Sequence, residues 1–174
     1  MIPTIALHAD VIEVSYYDGG ISTSLEAILS IEKSLSKRTS ISLWGGGGVV
    51  AMVLPEPFED YNAGIEGTLE FRFYPKSEDM EGIFLGIYAG LGHMYGSHYD
   101  DYESIATVGI KICNKNIFYI RDPNSAFFSL ALEPYISAAV TLYYRDNTTI
   151  FERPDSGAFW VNIGFRIVME NPLR

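Results

Sequence analysis

The sequence predicts an all-β fold, an eight-stranded antiparallel up-and-down transmembrane β-barrel formed by one domain over residues 1–174. Three observations predict it. Segments in which apolar and polar residues alternate recur along the chain, separated by turn-forming residues. Aromatic residues make up 14% of the sequence and there are 16 glycines, a composition that favours sheets over helices. The alternating segments are long, and both of their faces carry few charges.

The clearest strand covers residues 65–74, where Ile65, Leu69 and Phe71 share one face and Glu66 and Glu70 share the other. Comparable alternation occurs in residues 21–32, 83–92, 128–142 and 159–168, and weaker alternation near residues 4–16, 39–53 and 104–113. No segment has the pattern of a helix, so the strands are expected to follow one another as hairpins.

Alternation alone also fits a soluble barrel, which directs its apolar residues inward. The second face of the strands argues for a membrane, because in residues 39–53 and 83–92 it consists largely of glycine and aromatic residues instead of Lys and Glu. Several segments run for about 10 to 15 residues, which exceeds the mean of about 5–6 in soluble proteins and is enough to cross a bilayer. We therefore expect one face to meet lipid and the other to line a narrow, packed lumen.

Aromatic residues near the strand ends are expected to form girdles at the two membrane interfaces. They are Tyr16, Tyr17, Phe73, Tyr74, Tyr95, Tyr143, Tyr144 and Phe159. Pro134 is expected to mark the point where its strand enters the sheet, with residues 126–132 extending beyond the membrane, because proline has no N–H to donate to a ladder.

No apolar run predicts a membrane helix, since residues 39–55 contain four consecutive glycines and residues 126–144 contain Glu133 followed by Pro134. The N-terminus lacks the basic region and long apolar run of a signal peptide. We therefore expect either that the protein is not secreted or that a signal peptide has been removed from it.

Composition excludes several partners. The net charge is −10, with 12 basic and 22 acidic residues, so we expect no nucleic-acid partner. The single cysteine, Cys113, cannot form an internal disulfide, and one cysteine with three histidines cannot make a Cys/His zinc cage. We predict no metal, no cofactor and no catalytic residues.

Charged residues on the predicted lumen face define the first candidate site. They are Glu26, Glu66, Glu70, Arg72, Lys111, Glu133 and Arg166. Buried carboxylates must be paired or protonated, so we expect a network across strands. An eight-stranded barrel has an interior just wide enough for side chains, which favours a structural plug over an ion path.

With both termini on the inner side, the external connections are expected at Tyr17–Gly20, Leu54–Asn62, Tyr95–Glu103 and Arg145–Gly157. Three of them are acidic and aromatic, and loops on a rigid scaffold are where binding usually resides. An external ligand or protein is the partner that these loops could bind.

A second candidate site, less favoured, consists of His93, Ser97, His98, Asp100 and Asp101. A nucleophilic hydrolase needs a serine, a histidine and a carboxylate within hydrogen-bond reach. The residue two positions after His93 is Tyr95 instead of a serine, and the adjacent Ser97 and His98 would point to opposite sides of a strand. The acidic residues lack the spacing of a calcium loop.

Four stretches of the sequence resemble small bacterial outer-membrane barrels of the OmpA/OmpX type. They are GIEGTLEFRFYP (64–75), GIFLGIYAGLG (82–92), EPYISA (133–138) and WVNIGFRI (160–167). The resemblance implies an outer-membrane location, eight strands, short periplasmic turns and longer external loops. Such barrels usually finish on an aromatic residue, whereas this chain continues past Met169 to Arg174.

Three hypotheses follow. The favoured one is a non-enzymatic outer-membrane barrel, embedded in the lipid bilayer, with a structural or surface-interaction role. The second is a soluble calycin-like barrel that binds an apolar ligand, and the third is a barrel-embedded lipid-modifying enzyme.

Overall fold

The computed structural model describes residues 4–17, 20–54, 61–76, 81–96, 101–120, 129–146 and 159–172, and the side chains of residues 24–49, 63–76, 81–95, 104–118, 130–142 and 159–168. The strands within these residues are β1 (Thr4–Tyr17), β2 (Gly20–Ser34), β3 (Thr39–Leu54), β4 (Tyr61–Phe73), β5 (Gly82–Gly96), β6 (Asp101–Ile120), β7 (Ser129–Asp146) and β8 (Phe159–Pro172). This part of the chain has no helix long and apolar enough to cross a membrane.

The eight strands form a closed barrel in which each strand pairs antiparallel with the next and β1 pairs with β8. The predicted all-β, antiparallel, up-and-down barrel is confirmed. Thr4 pairs with both Glu32 and Pro172, so β1 begins and β8 finishes at the same end of the barrel. We call this end, which also carries connections 35–38, 74–81 and 121–128, the terminal end. The opposite end, with connections 18–19, 55–60, 97–100 and 147–158, is the loop end.

The strands reach further towards the loop end than the alternation predicts. Tyr61 pairs with Ala51, and Asp101 pairs with Gly96. Backbone pairing does not require apolar side chains, so the ladder continues after the alternation has ended. As a result, the connections predicted at Leu54–Asn62 and Tyr95–Glu103 shorten to residues 55–60 and 97–100.

Most of the large aliphatic side chains of the described strands face outward, while the interior holds polar, charged, small and aromatic side chains with a few aliphatic ones. In β2, Ile28 and Ser30 are buried, whereas Leu25 and Leu29 are 61% and 57% exposed. We call the outward-facing residues the outer wall. Its large apolar members are Leu25, Leu29, Ile31, Leu43, Val49, Ile65, Leu69, Phe71, Phe73, Ile83, Leu85, Ile87, Leu91, Ile110, Ile112, Phe118, Leu130, Ile136, Val140, Leu142, Phe159, Ile163 and Ile167.

The lumen is packed in the half of the barrel near the terminal end. Tyr74, Phe84, Cys113 and Tyr135 form a buried aromatic cluster, and the ring centroids of Tyr74 and Phe84 are 5.2 Å apart. Tyr74 is therefore wrong as a girdle residue: it is fully buried and faces inward, because the alternation of Arg72 inward and Phe73 outward continues to it. Phe73 and Phe159 are exposed on the outer wall, where the prediction put them.

Pro134 lies inside β7 and not at its entrance, so that prediction is wrong. It is exposed and pairs with Phe165 of β8. On the β6 side the ladder runs from Cys113–Tyr135 directly to Asn116–Leu132, with no change of register. Proline cannot donate a hydrogen bond, so the ladder is interrupted locally while the strand continues.

The turns at the terminal end are tied to each other. The backbone N–H of Tyr74 donates to the carbonyl of Arg38 over 2.8 Å, which joins connection 74–81 to the turn between β2 and β3. Gly82 starts β5 with φ 84°, a left-handed conformation that favours glycine.

Candidate functional site

Arg72 of β4 is the centre of a buried ion cluster in the lumen. Its Nη2 and Nε donate to Oε2 of Glu70 over 2.9 and 3.0 Å, and its Nη1 donates to Oε2 of Glu32 over 3.0 Å. The guanidinium also lies 4.8 Å from the centre of the Phe84 ring. One arginine thus bridges carboxylates of β2 and β4 across the intervening β3, using the planar fork of donors that suits such pairing.

Glu32 receives further donors at the terminal end of the lumen. The Ser40 hydroxyl donates to its Oε1, and the Tyr74 hydroxyl lies 3.4 Å from the same oxygen. Tyr74 lies beyond the end of β4, and burial raises the pKa of its hydroxyl well above the ordinary value. The hydroxyl therefore stays protonated and acts as a neutral donor to the carboxylate.

Lys111 and Arg166 place their charges among aromatic rings. Nζ of Lys111 is 3.6 Å from Oε1 of Glu70 and 5.1 Å from the centre of the Tyr135 ring. The Arg166 guanidinium is 5.0 Å from both the Tyr135 and the Trp44 rings. Cations over aromatic faces are stabilised by the ring quadrupole, more strongly when they are shielded from water. The rings therefore stabilise these cations inside the lumen together with the carboxylates.

Glu133 of β7 is paired in register with Arg166 of β8 and is 1% exposed. Among the described residues, neither of its carboxylate oxygens has a hydrogen-bond partner, and the same holds for Nε1 of Trp44 and Oγ of Ser42. A buried carboxylate is tolerated only where opposite charge is close. Among the side chains that the structure describes, the buried carboxylates of the lumen are Glu32, Glu70 and Glu133, and the buried cations are Arg72, Lys111, Lys115 and Arg166. We call these seven residues the ion cluster.

The structure brings together most of the lumen residues that the sequence singled out. Glu70, Arg72, Lys111, Glu133 and Arg166 belong to the ion cluster. The other two predicted residues, Glu26 and Glu66, also face inward but lie nearer the loop end and are only partly buried. They pair with Gly48 and Gly92, respectively.

Sequence reasoning missed Glu32 and Lys115, and it assigned Tyr74 to a girdle instead of the lumen. Glu32 has the same parity as Glu26 in β2, so alternation could have placed it in the lumen. Tyr74 has the same parity as Glu66 and Glu70 in the alternating segment 65–74, so alternation also places it on the lumen face.

Glycines make room for the cluster and for the rings beside it. A Cβ on Gly109 would lie 2.5 Å from Cζ of Tyr88 and 2.6 Å from the carbonyl oxygen of Ala138, while one on Gly86 would collide with the Glu70 carboxylate. The lumen side of these strands therefore requires the absence of a side chain at these positions.

The second predicted site is only partly within the described residues. Ser97, His98 and Asp100 lie outside them, and Asp101 is described only as the backbone residue that starts β6. His93 belongs to β5 and is exposed on the outer wall, where its Nδ1 lies 2.9 Å from Oγ of Ser104 in β6. The described residues contain no group of three His, Cys, Asp or Glu side chains able to hold a metal ion.

Comparison with solved structures finds bacterial surface and outer-membrane proteins among the matches. The crystal structure of Neisserial surface protein A aligns over 96% of this chain and 96% of that chain, with a TM-score of 0.56 and 9% sequence identity. The N-terminal β-barrel domain of Pseudomonas aeruginosa OprF aligns over 95% and 96%, with a TM-score of 0.43 and 11% identity. An outer membrane channel from Pseudomonas putida F1 aligns over 96% and 94%, with a TM-score of 0.23 and 12% identity.

No protein-family model and no curated protein matches the sequence. At 9% identity, the likeness to Neisserial surface protein A concerns the fold alone. The chain has the architecture of an eight-stranded up-and-down barrel, as that protein does.

Proposed function

We propose that this chain is an integral barrel of the bacterial outer membrane with a structural or surface-interaction role, and that the ion cluster closes its lumen. The observation that carries the proposal is the outer wall. Large apolar side chains are exposed on it in every strand whose side chains are described, with Leu91 at 70% and Ile65 at 67%.

An exposed apolar surface of this extent supports a lipid environment. Soluble monomers rarely expose a contiguous apolar patch of more than about 600 Å². The soluble calycin-like alternative requires the large aliphatic residues inside, whereas most of those in the described strands are exposed on the outer wall. The fold shared with Neisserial surface protein A and the sequence resemblance to OmpA/OmpX-type barrels support the outer membrane as the location.

The packing of the lumen supports a plug over a pore. Arg72, Tyr74 and Phe84 are each 1% exposed or less, and ion pairs join carboxylates and cations from several strands. An eight-stranded barrel has little interior volume beyond what such side chains occupy. A hydrated ion would have to displace several paired charges in order to pass.

A surface-interaction role would depend on the loop end. Its acidic and aromatic connections include residues 55–60 and 97–100, which lie outside the described residues. Binding of an external ligand or protein by these connections remains a prediction from the sequence.

Two measurements test the proposal. We expect the purified chain to fold only in detergent or lipid, and unheated samples to migrate differently from boiled ones on a gel. Folding in plain buffer, with a ligand held in the barrel, would contradict the membrane location. In planar bilayers we expect no conductance of defined size, and a reproducible unitary conductance would contradict the plug.

A further inference from the structure

The hydrogen bond between His93 and Ser104 lies on the outer wall and takes no part in the ion cluster. Its partners come from neighbouring strands and are directly opposite in the β5–β6 ladder, with a separation of 2.9 Å between Nδ1 and Oγ. His93 is exposed and Ser104 is partly buried. A serine hydroxyl in contact with an imidazole is the arrangement by which a serine becomes a nucleophile.

The pair is located at the loop-end edge of the apolar part of the outer wall, which we call the apolar belt. Along β5 the outward residues Ile83, Leu85, Ile87, Ala89 and Leu91 are apolar, and His93 is the next outward residue towards the loop end.

On β6 the outward residues Ile112, Ile110, Val108 and Ala106 are likewise followed by Ser104. In a bilayer, the edge of the belt is the depth at which hydrocarbon gives way to headgroups, where the acyl esters of lipids lie.

On the β4 side His93 itself pairs with Ile65, which is 67% exposed, and a lower stretch of the outer wall with space for an acyl chain begins two residues deeper, at Gly67. Gly67 pairs with Leu91, two residues from His93, and a Cβ on Gly67 would meet nothing nearer than 3.9 Å. Its other ladder partner is Gly45, which also faces outward. These two glycines form a shallow trough on β3 and β4. It lies two residue positions from His93 in the direction of the terminal end.

We propose that Ser104 and His93 form a nucleophile–base pair that hydrolyses long-chain acyl esters at the loop-end face of the membrane. Ser104 Oγ attacks the ester carbonyl while its proton passes to Nδ1 of His93. Collapse of the tetrahedral adduct breaks the bond to the alcohol oxygen, which leaves with that proton. Water then attacks the acyl-serine, giving its proton to His93, and the free fatty acid departs as Ser104 regains its proton.

This activity goes beyond the proposed structural role and departs from the expectation of a non-enzymatic barrel. It depends on the proposed membrane location only for the identity of the substrate. The reaction itself can be tested in micelles.

The test uses the whole chain, folded in detergent micelles and checked by heat-modifiable migration. A fluorophosphonate with an alkyl chain is the covalent probe, and a micellar p-nitrophenyl ester is the substrate. We expect the probe to label Ser104, as read from the labelled peptide by mass spectrometry. Ser104→Ala should lose both labelling and ester hydrolysis, and His93→Asn should slow hydrolysis by about 100- to 10,000-fold, the usual contribution of a general base.

Ser24→Ala is the matched control, since Ser24 is a buried lumen serine, and it should behave as wild type. Absence of label on the folded wild-type chain, while a reference serine esterase is labelled, would overturn the proposal. Hydrolysis that survives in Ser104→Ala would overturn it as well.

A second arm identifies the source of the ester. Vesicles of phosphatidylethanolamine and vesicles of lipopolysaccharide both carry acyl esters, and release of free fatty acid from either supports the proposal and names the lipid. Release from neither overturns it. Failure of this activity leaves the detergent-dependent folding and the conductance result untouched, so the two proposals fail separately.

Discussion

Replacement of Arg72 by methionine is the perturbation that tests the ion cluster most directly. Methionine is unbranched and fills much of the same space, so the change removes the charge and the donors with little change in packing. In the folded barrel, Oε2 of Glu70 and Oε2 of Glu32 would both lose the donor that they now share.

The expected loss of stability follows from the burial of the three partners. Arg72 and Glu70 are 1% and 0% exposed at the side chain, and Glu32 is 10% exposed. Removing one member of a buried ion pair typically costs about 3–5 kcal/mol, because the remaining charge is left uncompensated. That corresponds to about two to three and a half powers of ten in the unfolding equilibrium.

Urea titration of the barrel in lipid vesicles, followed by tryptophan fluorescence and by migration of unheated samples, measures the free energy of unfolding. Arg38→Met is the matched control, because Arg38 is exposed in the turn between β2 and β3, and we expect a change within about 0.5 kcal/mol. Arg72→Lys should fall between the control and Arg72→Met, since lysine keeps the charge and lacks the fork.

In the double variant, Glu70→Met with Arg72→Met, the loss in free energy of unfolding should be smaller than the sum of the losses in the two single variants. The difference, which is the coupling energy of the pair, should be about 0.5–3 kcal/mol. If Arg72→Met stays within about 1 kcal/mol of wild type, the assignment of the cluster as the element that holds the lumen together is refuted.

Three further predictions concern other parts of the barrel. Ile87→Lys on the outer wall should lower the free energy of unfolding in lipid by up to about 2–4 kcal/mol, whereas Leu35→Lys in a turn should change it little, and equal effects would argue against a lipid-facing wall. Gly109→Val should destabilise the barrel by about 1–3 kcal/mol because its side chain would meet the Tyr88 ring, and Gly67→Ala, with open space outside, should be nearly neutral in the same titration. Cys113 is 2% exposed, so a maleimide should react with it only after unfolding; rapid modification of the folded chain would show that the lumen is open.

The architecture was predictable because alternation directly indicates which side chains of a strand face inward and which face outward. Ile28 and Leu29 differ from each other in exposure as the period of two requires. The ends of the strands were less predictable, since pairing such as that of Tyr61 with Ala51 is made by the backbone and leaves no pattern in the side chains.

The ion cluster was predictable as a set of inward charges, but its connections were not. Arg72 reaches Glu32 across β3, and no rule of spacing along the chain gives that contact, because it depends on the curvature of the closed sheet. The partner of His93 was missed for a related reason. Ser104 lies opposite His93 because of the pairing register of β5 and β6, and a pattern within one strand does not give that register.

The bond between Arg72 and Glu32 joins residues 40 positions apart, and Lys111 of β6 meets Glu70 of β4. Neither contact exists in an isolated hairpin, because each skips one strand of the sheet. During assembly, these ion pairs therefore form only after several strands have been laid down in register, and they add nothing to the stability of the early hairpins. Their free energy is gained when β2 to β4 and β4 to β6, respectively, have paired. An isolated hairpin is accordingly weaker than the same two strands within the sheet, because it lacks the ion pairs that span three strands.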